Sequence, residues 1–199
     1  MAVKLNRAVF LDKDGTLVHD LPYNVDPSRL RLRADAGAAL ARMQAAGYQL
    51  MLVSNQPGIA FGYFDECDLV PMWHELARQL AFDQVFLDAV YYCPHHPHGV
   101  DPRYTGPCHC RKPEPGMLLR AAAENQIDLA ASWVIGDILD DIEAGRVAGC
   151  RTILLDVGSE TEWRHSLQRH PHYIAADLTD AADYIVDATA RVFNLGRRP

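Results

Sequence analysis

The sequence predicts an α/β fold: a doubly wound, Rossmann-like, mostly parallel sheet with helices on both faces, no large cap domain and one loop stapled by zinc. Three observations predict it. Five short apolar runs recur along the chain, and continuous apolarity over so few residues suits strands buried on both faces of a parallel sheet. Stretches of helical periodicity separate these runs. Most of the runs end in a polar residue, as strands do when their carboxyl ends border a ligand crevice.

The strands are expected at Arg7–Asp12, Tyr48–Ser54, Asp88–Tyr92, Ser132–Asp137 and Arg151–Asp156. Between them the spacing predicts helices over Ala34–Ala46, stopped by Gly47, over Glu66–Leu80, over Pro115–Gln126, and over Leu139–Ala148, stopped by Gly149. The stretch DYIVDATARVF (Asp183–Phe193) reads as one more strand end and a terminal helix, and Ser159–His172 as surface loop or short helix. At 199 residues the chain fits one domain, 1–199, with the cysteine-rich loop at 93–110 and an extension at 157–199.

Composition narrows the partners. A formal net charge of −7 disfavours nucleic acid, which calls for a basic stripe. No apolar stretch is long enough to span a bilayer and no secretory leader is visible, so the expected setting is cytoplasmic, with no membrane partner. Structural disulfides are rare there. Cys67 and Cys150 read as small buried hydrophobes.

The other cysteines sit together. Cys93-x-His95 is followed, after twelve residues, by Cys108-x-Cys110, two chelating pairs whose thiolate and imidazole donors suit a closed tetrahedral zinc site. His96, His98 and His109 keep the nitrogen ligand open. Four protein ligands leave no position for a catalytic water, so this zinc shapes a loop.

Chemistry is expected at the strand ends DKDGT, SNQPG and GDILDD, with RKPEPG opening the helix before the fourth strand. Asp12 and Asp14 are two apart on an extended segment and point the same way. Close carboxylates repel unless a cation sits with them. With Asp137 as a third hard oxygen, the set suits Mg²⁺. A calcium loop is excluded, because its sixth and twelfth positions hold Leu17 and Tyr23. No dinucleotide or P-loop glycine pattern is present. A carboxylate can attack phosphorus itself, and Lys112, Ser54 and the backbone N–H groups of Asn55 and Gln56 are candidates to hold the phosphoryl oxygens.

In this order, FLDKDGTL, VSN, RKP and GDILDD resemble the haloacid dehalogenase-like superfamily of aspartate-nucleophile phosphatases, over Ala8 to about Asp156. More narrowly, SNQPGIAFG, YYCPHHPHG, CHCRKPEPGML and GDILDDIEAG are similar to its heptose bisphosphate 7-phosphatases. The resemblance implies a small phosphorylated sugar as substrate and an enzyme of heptose (lipopolysaccharide or capsule precursor) biosynthesis; separately, the chain is expected to be a monomer. It implies Asp12 as nucleophile and Asp14 as general acid and base. Mg²⁺ would be held by Asp12, the Asp14 carbonyl and Asp137, with Asp141 behind them, and Zn²⁺ by Cys93, His95, Cys108 and Cys110. Ser54 and Lys112 would steady the phosphoryl group. Asp20, Leu21, Pro22, Tyr23, Ser54, Asn55, Gln56, Pro57, Arg111 and Lys112 would line the substrate. Three positions depart from the pattern: Ile138 stands where a Lys is usual, Phe61 where an Arg is common, and Leu21-Pro22 where His-Gly is often found. Histidinol-phosphate phosphatase shares the fold with a shorter gap between ligand pairs. A zinc-stapled interaction module is the alternative outside enzymes.

Overall fold

In the computed structural model, which describes residues 5–164 and 166–195, six strands form one sheet. They are β1 (Ala8–Leu11), β2 (Gln49–Asn55), β3 (Ala89–Cys93), β4 (Trp133–Gly136), β5 (Arg151–Leu155) and β6 (Tyr173–Ala175). Their order is β3-β2-β1-β4-β5-β6, and every neighbouring pair is parallel. The chain winds outward from β1 to β3, then returns to the other side of β1 with β4. The order therefore reverses between β1 and β4, and the crevice beyond their carboxyl ends is where open α/β sheets bind ligands.

Alternation along each strand builds two apolar layers. Val9 and Leu11 pack beneath α1 (Ala36–Ala45), α2 (Leu69–Leu80) and α5 (Leu178–Leu195), while Ala8 and Phe10 meet α3 (Gly116–Asn125) and α4 (Leu139–Ala148) on the opposite face. Three polar side chains inside the first layer satisfy one another. Trp133 Nε1 donates to Tyr48 Oη at 3.3 Å, and that hydroxyl lies 2.8 Å from Thr189 Oγ1. Among the described residues no helix is long and apolar enough to cross a membrane.

The five expected strands and four expected helices form within a few residues of their sequence positions. Glu66–Asp68 is a 3₁₀ turn, not the first turn of α2; there the Asp65 N–H donates to Asp68 Oδ2 at 2.8 Å. The last unit is a correction. Asp183–Phe193 contains no strand end and lies wholly within α5. Ala181, Ala182 and Ile185 are all fully buried, a helical spacing. The strand is instead the three-residue β6, too short for an apolar run to announce it. The described residues of the Ser159–His172 stretch form irregular loop; His165 lies outside the described residues.

Ile185 is fully buried in the layer shared by α1, α5 and the sheet. Ile185→Ala is expected to cost about 2–5 kcal/mol by loss of buried methylenes and the cavity left behind, measurable as a lowered denaturant midpoint at unchanged slope.

Candidate active site

The first strand end sets the scaffold. The Asp12 N–H extends the ladder by donating to the Ile135 carbonyl at 3.0 Å, and the chain then turns at Gly15 with φ +79°. A Cβ at Gly15 would lie 1.9 Å from Asp137 Oδ2, so only glycine allows the loop to pass this close to the carboxylate. Gly15→Ala is expected to lose about 1–3 kcal/mol of stability and to displace Asp137, measured as a lower melting temperature together with a slower turnover.

Asp12, Asp137 and Asp141 are buried and present oxygens within 4.8 Å of one another. Asp12 comes from the end of β1, Asp137 from the end of β4, and Asp141 from the first turns of α4. Lys112 Nζ enters from the loop before α3 and pairs with Asp12 Oδ1 and with Asp141 Oδ1, each at 2.5 Å, while donating to the Val53 carbonyl at 3.0 Å. Burial works against the charge on Lys112, but Asp12 and Asp141 outweigh it and raise its pKa. Burial likewise pushes Asp141 up, with Lys112 opposing. Asp137 is raised to about 6, first by burial and then by the charge of Asp12; hydrogen bonds from Ser159 and Thr16 work the other way. Three carboxylates against one ammonium leave an excess of negative charge, and this oxygen set fits a hard divalent cation such as Mg²⁺.

Asp14 stands outside that cluster. Its Oδ1 meets Lys13 Nζ at 2.6 Å, and Lys13 is itself buried against Met72 Sδ at 3.5 Å. The Asp14 carboxyl is raised to about 6 by burial, which the Lys13 ammonium opposes and the Asp12 charge reinforces. Such a group exchanges a proton near neutral pH.

A cleft of about 230 Å³ joins these parts, lined by Asp12, Asp14, Asp20, Asn55, Lys112 and Asp137, with Ile138 and Ser159 at its edge. Asn55 clasps the Lys112 backbone from both sides: its Oδ1 accepts from the Lys112 N–H at 3.0 Å and its Nδ2 donates to the Lys112 carbonyl at 3.1 Å. Ser54 is buried at the end of β2, its Oγ accepting from Gln56 Nε2 at 2.8 Å. The Gln56 backbone N–H, expected to face phosphate, donates instead to the Cys93 carbonyl at 2.8 Å, because the β2–β3 ladder continues past Asn55. Of the residues expected to line the substrate, Leu21, Pro22, Tyr23, Ser54, Gln56, Pro57 and Arg111 do not line this cleft. Arg111 borders an adjoining hollow of about 240 Å³ with Lys112 and Asp140. Tyr23 belongs to an aromatic group with Phe61 and Tyr63, at ring separations of 4.9 to 6.2 Å, and Phe61 also packs on His96.

The cysteine loop closes into a compact cage. Cys93 Sγ lies 3.7 Å from Cys108 Sγ and 3.7 Å from His95 Nδ1, and Cys110 Sγ lies 3.0 Å, 3.5 Å and 3.4 Å from Cys93, Cys108 and His95. Tetrahedral zinc with bonds of about 2.3 Å sets its sulfurs about 3.8 Å apart, so the donor set and spacing fit Zn²⁺ with His95 Nδ1 as the nitrogen. Burial drives the Cys93 thiol far above its ordinary range, and a cation is what reverses that.

Sequence reasoning missed four contributors: Thr16, Lys13, Ser159 and the clasp by Asn55. Thr16 Oγ1 donates to Asp137 Oδ1 at 3.1 Å. Its signal was available in DKDGT. Ser159 had none beyond lying after a strand end.

The HAD-hydrolase-like family model matches residues 109–181. D-glycero-beta-D-manno-heptose-1,7-bisphosphate 7-phosphatase of Photorhabdus laumondii is 43% identical over 148 residues, 74% of this chain and 79% of the relative. The enzyme of the same name from Haemophilus influenzae is 36% identical over 92% of this chain and 93% of its own. The crystal structure of D,D-heptose 1,7-bisphosphate phosphatase from B. bronchiseptica, complexed with magnesium and phosphate, superposes with a TM-score of 0.76 at 31% identity, covering 92% of this chain and 99% of that one. With relatives this similar along most of their length, the chain belongs to the heptose-1,7-bisphosphate 7-phosphatase family of HAD-like hydrolases and is a phosphatase.

Proposed function

We propose that this phosphatase removes the C7 phosphate of D-glycero-D-manno-heptose 1,7-bisphosphate through a phosphoryl group carried on Asp12. One observation carries the mechanism: within a single cleft a buried carboxylate, Asp12, is held at Oδ1 by Lys112, while a second carboxyl, Asp14, sits beside it with a raised pKa. Lys112 fixes the Asp12 side chain and leaves Oδ2 available to attack phosphorus. A bond forms between Asp12 and phosphorus as the bond from phosphorus to the sugar oxygen breaks, and Asp14 gives its proton to that oxygen. Asp14 then takes a proton from water, which attacks phosphorus and restores Asp12. Lys13 holds Asp14 at Oδ1 throughout, which aims the carboxyl.

Mg²⁺ held by Asp12, the Asp14 carbonyl and Asp137 would supply positive charge at the phosphoryl oxygens. Ser54 uses its lone pair for Gln56, so its hydroxyl hydrogen is free to donate to phosphate. Arg111, Asp20 and Tyr23 with its neighbours contact the sugar end. Zn²⁺ on Cys93, His95, Cys108 and Cys110 holds the loop from which Arg111 and Lys112 emerge.

Phosphate release should be measured with both anomers of heptose 1,7-bisphosphate, histidinol phosphate, other small sugar phosphates and a 3′-phosphorylated oligonucleotide. The expected order places one heptose bisphosphate anomer first, by on the order of 10² in kcat/KM over histidinol phosphate. A preference for histidinol phosphate overturns the substrate assignment and leaves the phosphatase chemistry intact.

A further inference from the structure

The segment after β5 has no role in the chemistry above, yet three of its residues grip the catalytic end of the sheet. Ser159 lines the cleft and hydrogen-bonds to the Asp137 carboxylate. Glu160 Oε2 accepts the Leu139 N–H at 2.7 Å, on the first residue of α4. The other oxygen of Glu160 accepts the N–H groups of Glu162 at 2.7 Å and Trp163 at 3.2 Å, so one carboxylate both caps α4 and folds its own loop. A carboxylate at a helix amino end satisfies an orphan donor and faces the positive end of the helix dipole. Farther along, Arg169 straddles the same helix: its Nη2 meets Asp140 Oδ1 and its Nε meets Glu143 Oε2, both at 2.6 Å, with the side chain only 17% exposed.

These grips share a target. The first turn of α4 offers the segment the Leu139 N–H and the Asp140 carboxylate, and carries Asp141, the buried partner of Lys112. Asp137 directly precedes that turn. Between the segment and the turn lies a hollow of about 210 Å³ reaching Ile138, so polar hooks hold the two together where apolar packing does not. Hooks of that kind fix orientation more than they add stability, because the cost of desolvating the charges and fixing the side chains offsets much of what an ion pair gains.

We infer that Glu160 and Arg169 are positioning residues that latch the turn 137–141, holding Asp137 and the Asp141–Lys112 pair in register with Asp12. The inference rests on the reading of Asp137 as a Mg²⁺ ligand. The latch acts from outside the cleft, touching neither phosphate nor metal.

The experiment titrates Mg²⁺ alone, by calorimetry, into the wild type, Glu160→Ala, Arg169→Met and Arg169→Lys, with Ile185→Ala as a control destabilised on the opposite face of the sheet. Glu160→Ala and Arg169→Met are expected to weaken Mg²⁺ binding about tenfold and to lower kcat more than they raise KM. Arg169→Lys keeps the charge without the fork and should recover only part of the loss. Ile185→Ala should lower the melting temperature and leave Mg²⁺ affinity unchanged. Wild-type affinity in both latch variants overturns the inference, as does an equal loss in Ile185→Ala. Failure of the wild type itself to bind Mg²⁺ overturns instead the reading on which the latch rests.

Discussion

Asp12→Asn is expected to fold normally and to lose roughly 10⁴-fold or more of kcat, as enzymes do when the attacking group itself is removed. Two features separate this result from general damage. Asn retains an oxygen that can accept from Lys112 Nζ, which lies 2.5 Å from Asp12 Oδ1, so the contact that orders the site survives. The substitution also removes one of three carboxylates that crowd together in a buried cluster, and relief of that repulsion favours the folded state in the absence of a cation. The variant should therefore melt no lower than the wild type, and higher when Mg²⁺ is withheld. Stability and activity moving in opposite directions is the signature of a functional site that costs folding energy. The covalent step has its own readout. Borohydride reduction of enzyme quenched during turnover should convert residue 12 of the wild type to homoserine, detected by peptide mass, and should leave the variant unmodified. A variant that keeps more than about a hundredth of the wild-type rate excludes Asp12 as the nucleophile.

Much of this site could be read from the chain before its fold was known, and the reason is geometric. A parallel sheet delivers the carboxyl ends of its strands to one edge, so Asp12, Ser54 and Asp137, each closing an apolar run, were bound to converge once the runs were recognised as strands. The four-donor cage was legible for a related reason: two chelating pairs on one loop leave few ways to arrange Cys93, His95, Cys108 and Cys110. Contacts made by residues without a local pattern were not legible. Nothing in the order of residues says that Asn55 clasps the Lys112 backbone, since that contact depends on how the cysteine loop lands against β2. Nor does it say that Arg169 reaches Asp140 and Glu143 across the start of α4. The misread carboxy-terminal unit shows the same limit on a smaller scale. An apolar stretch of Ile, Val and Tyr favours strand by composition, but the spacing of the residues that α5 buries is helical, and tertiary packing decided the matter.

Removal of zinc carries the other large effect. Binding at structural zinc sites is worth about 10–16 kcal/mol in small peptides at neutral pH, comparable with the whole stability of an ordinary domain at about 5–15 kcal/mol. Here the four donors lie on one loop and the end of β3, so the loss should fall on that loop before it reaches the sheet, whose core packs independently of the cage on the α1, α2 and α5 face. Metal analysis is expected to find one zinc per chain in the wild type and none in Cys110→Ser, which should also melt lower, while Cys150→Ser, at a buried cysteine outside the cage, should keep its zinc. Catalysis should suffer more than Mg²⁺ binding. Lys112 stands two residues beyond Cys110 and reaches Asp12 from that loop, whereas the proposed Mg²⁺ ligands Asp12, Asp14 and Asp137 sit at the ends of β1 and β4. Loosening the cage therefore frees the ammonium that orients the nucleophile and leaves the acidic cluster in place. The comparison to make is kcat against the Mg²⁺ dissociation constant in chelator-treated protein that circular dichroism shows to be folded. A fall in kcat with little change in Mg²⁺ affinity places the role of zinc in holding Arg111 and Lys112; an unchanged kcat in verified zinc-free, folded protein removes that role.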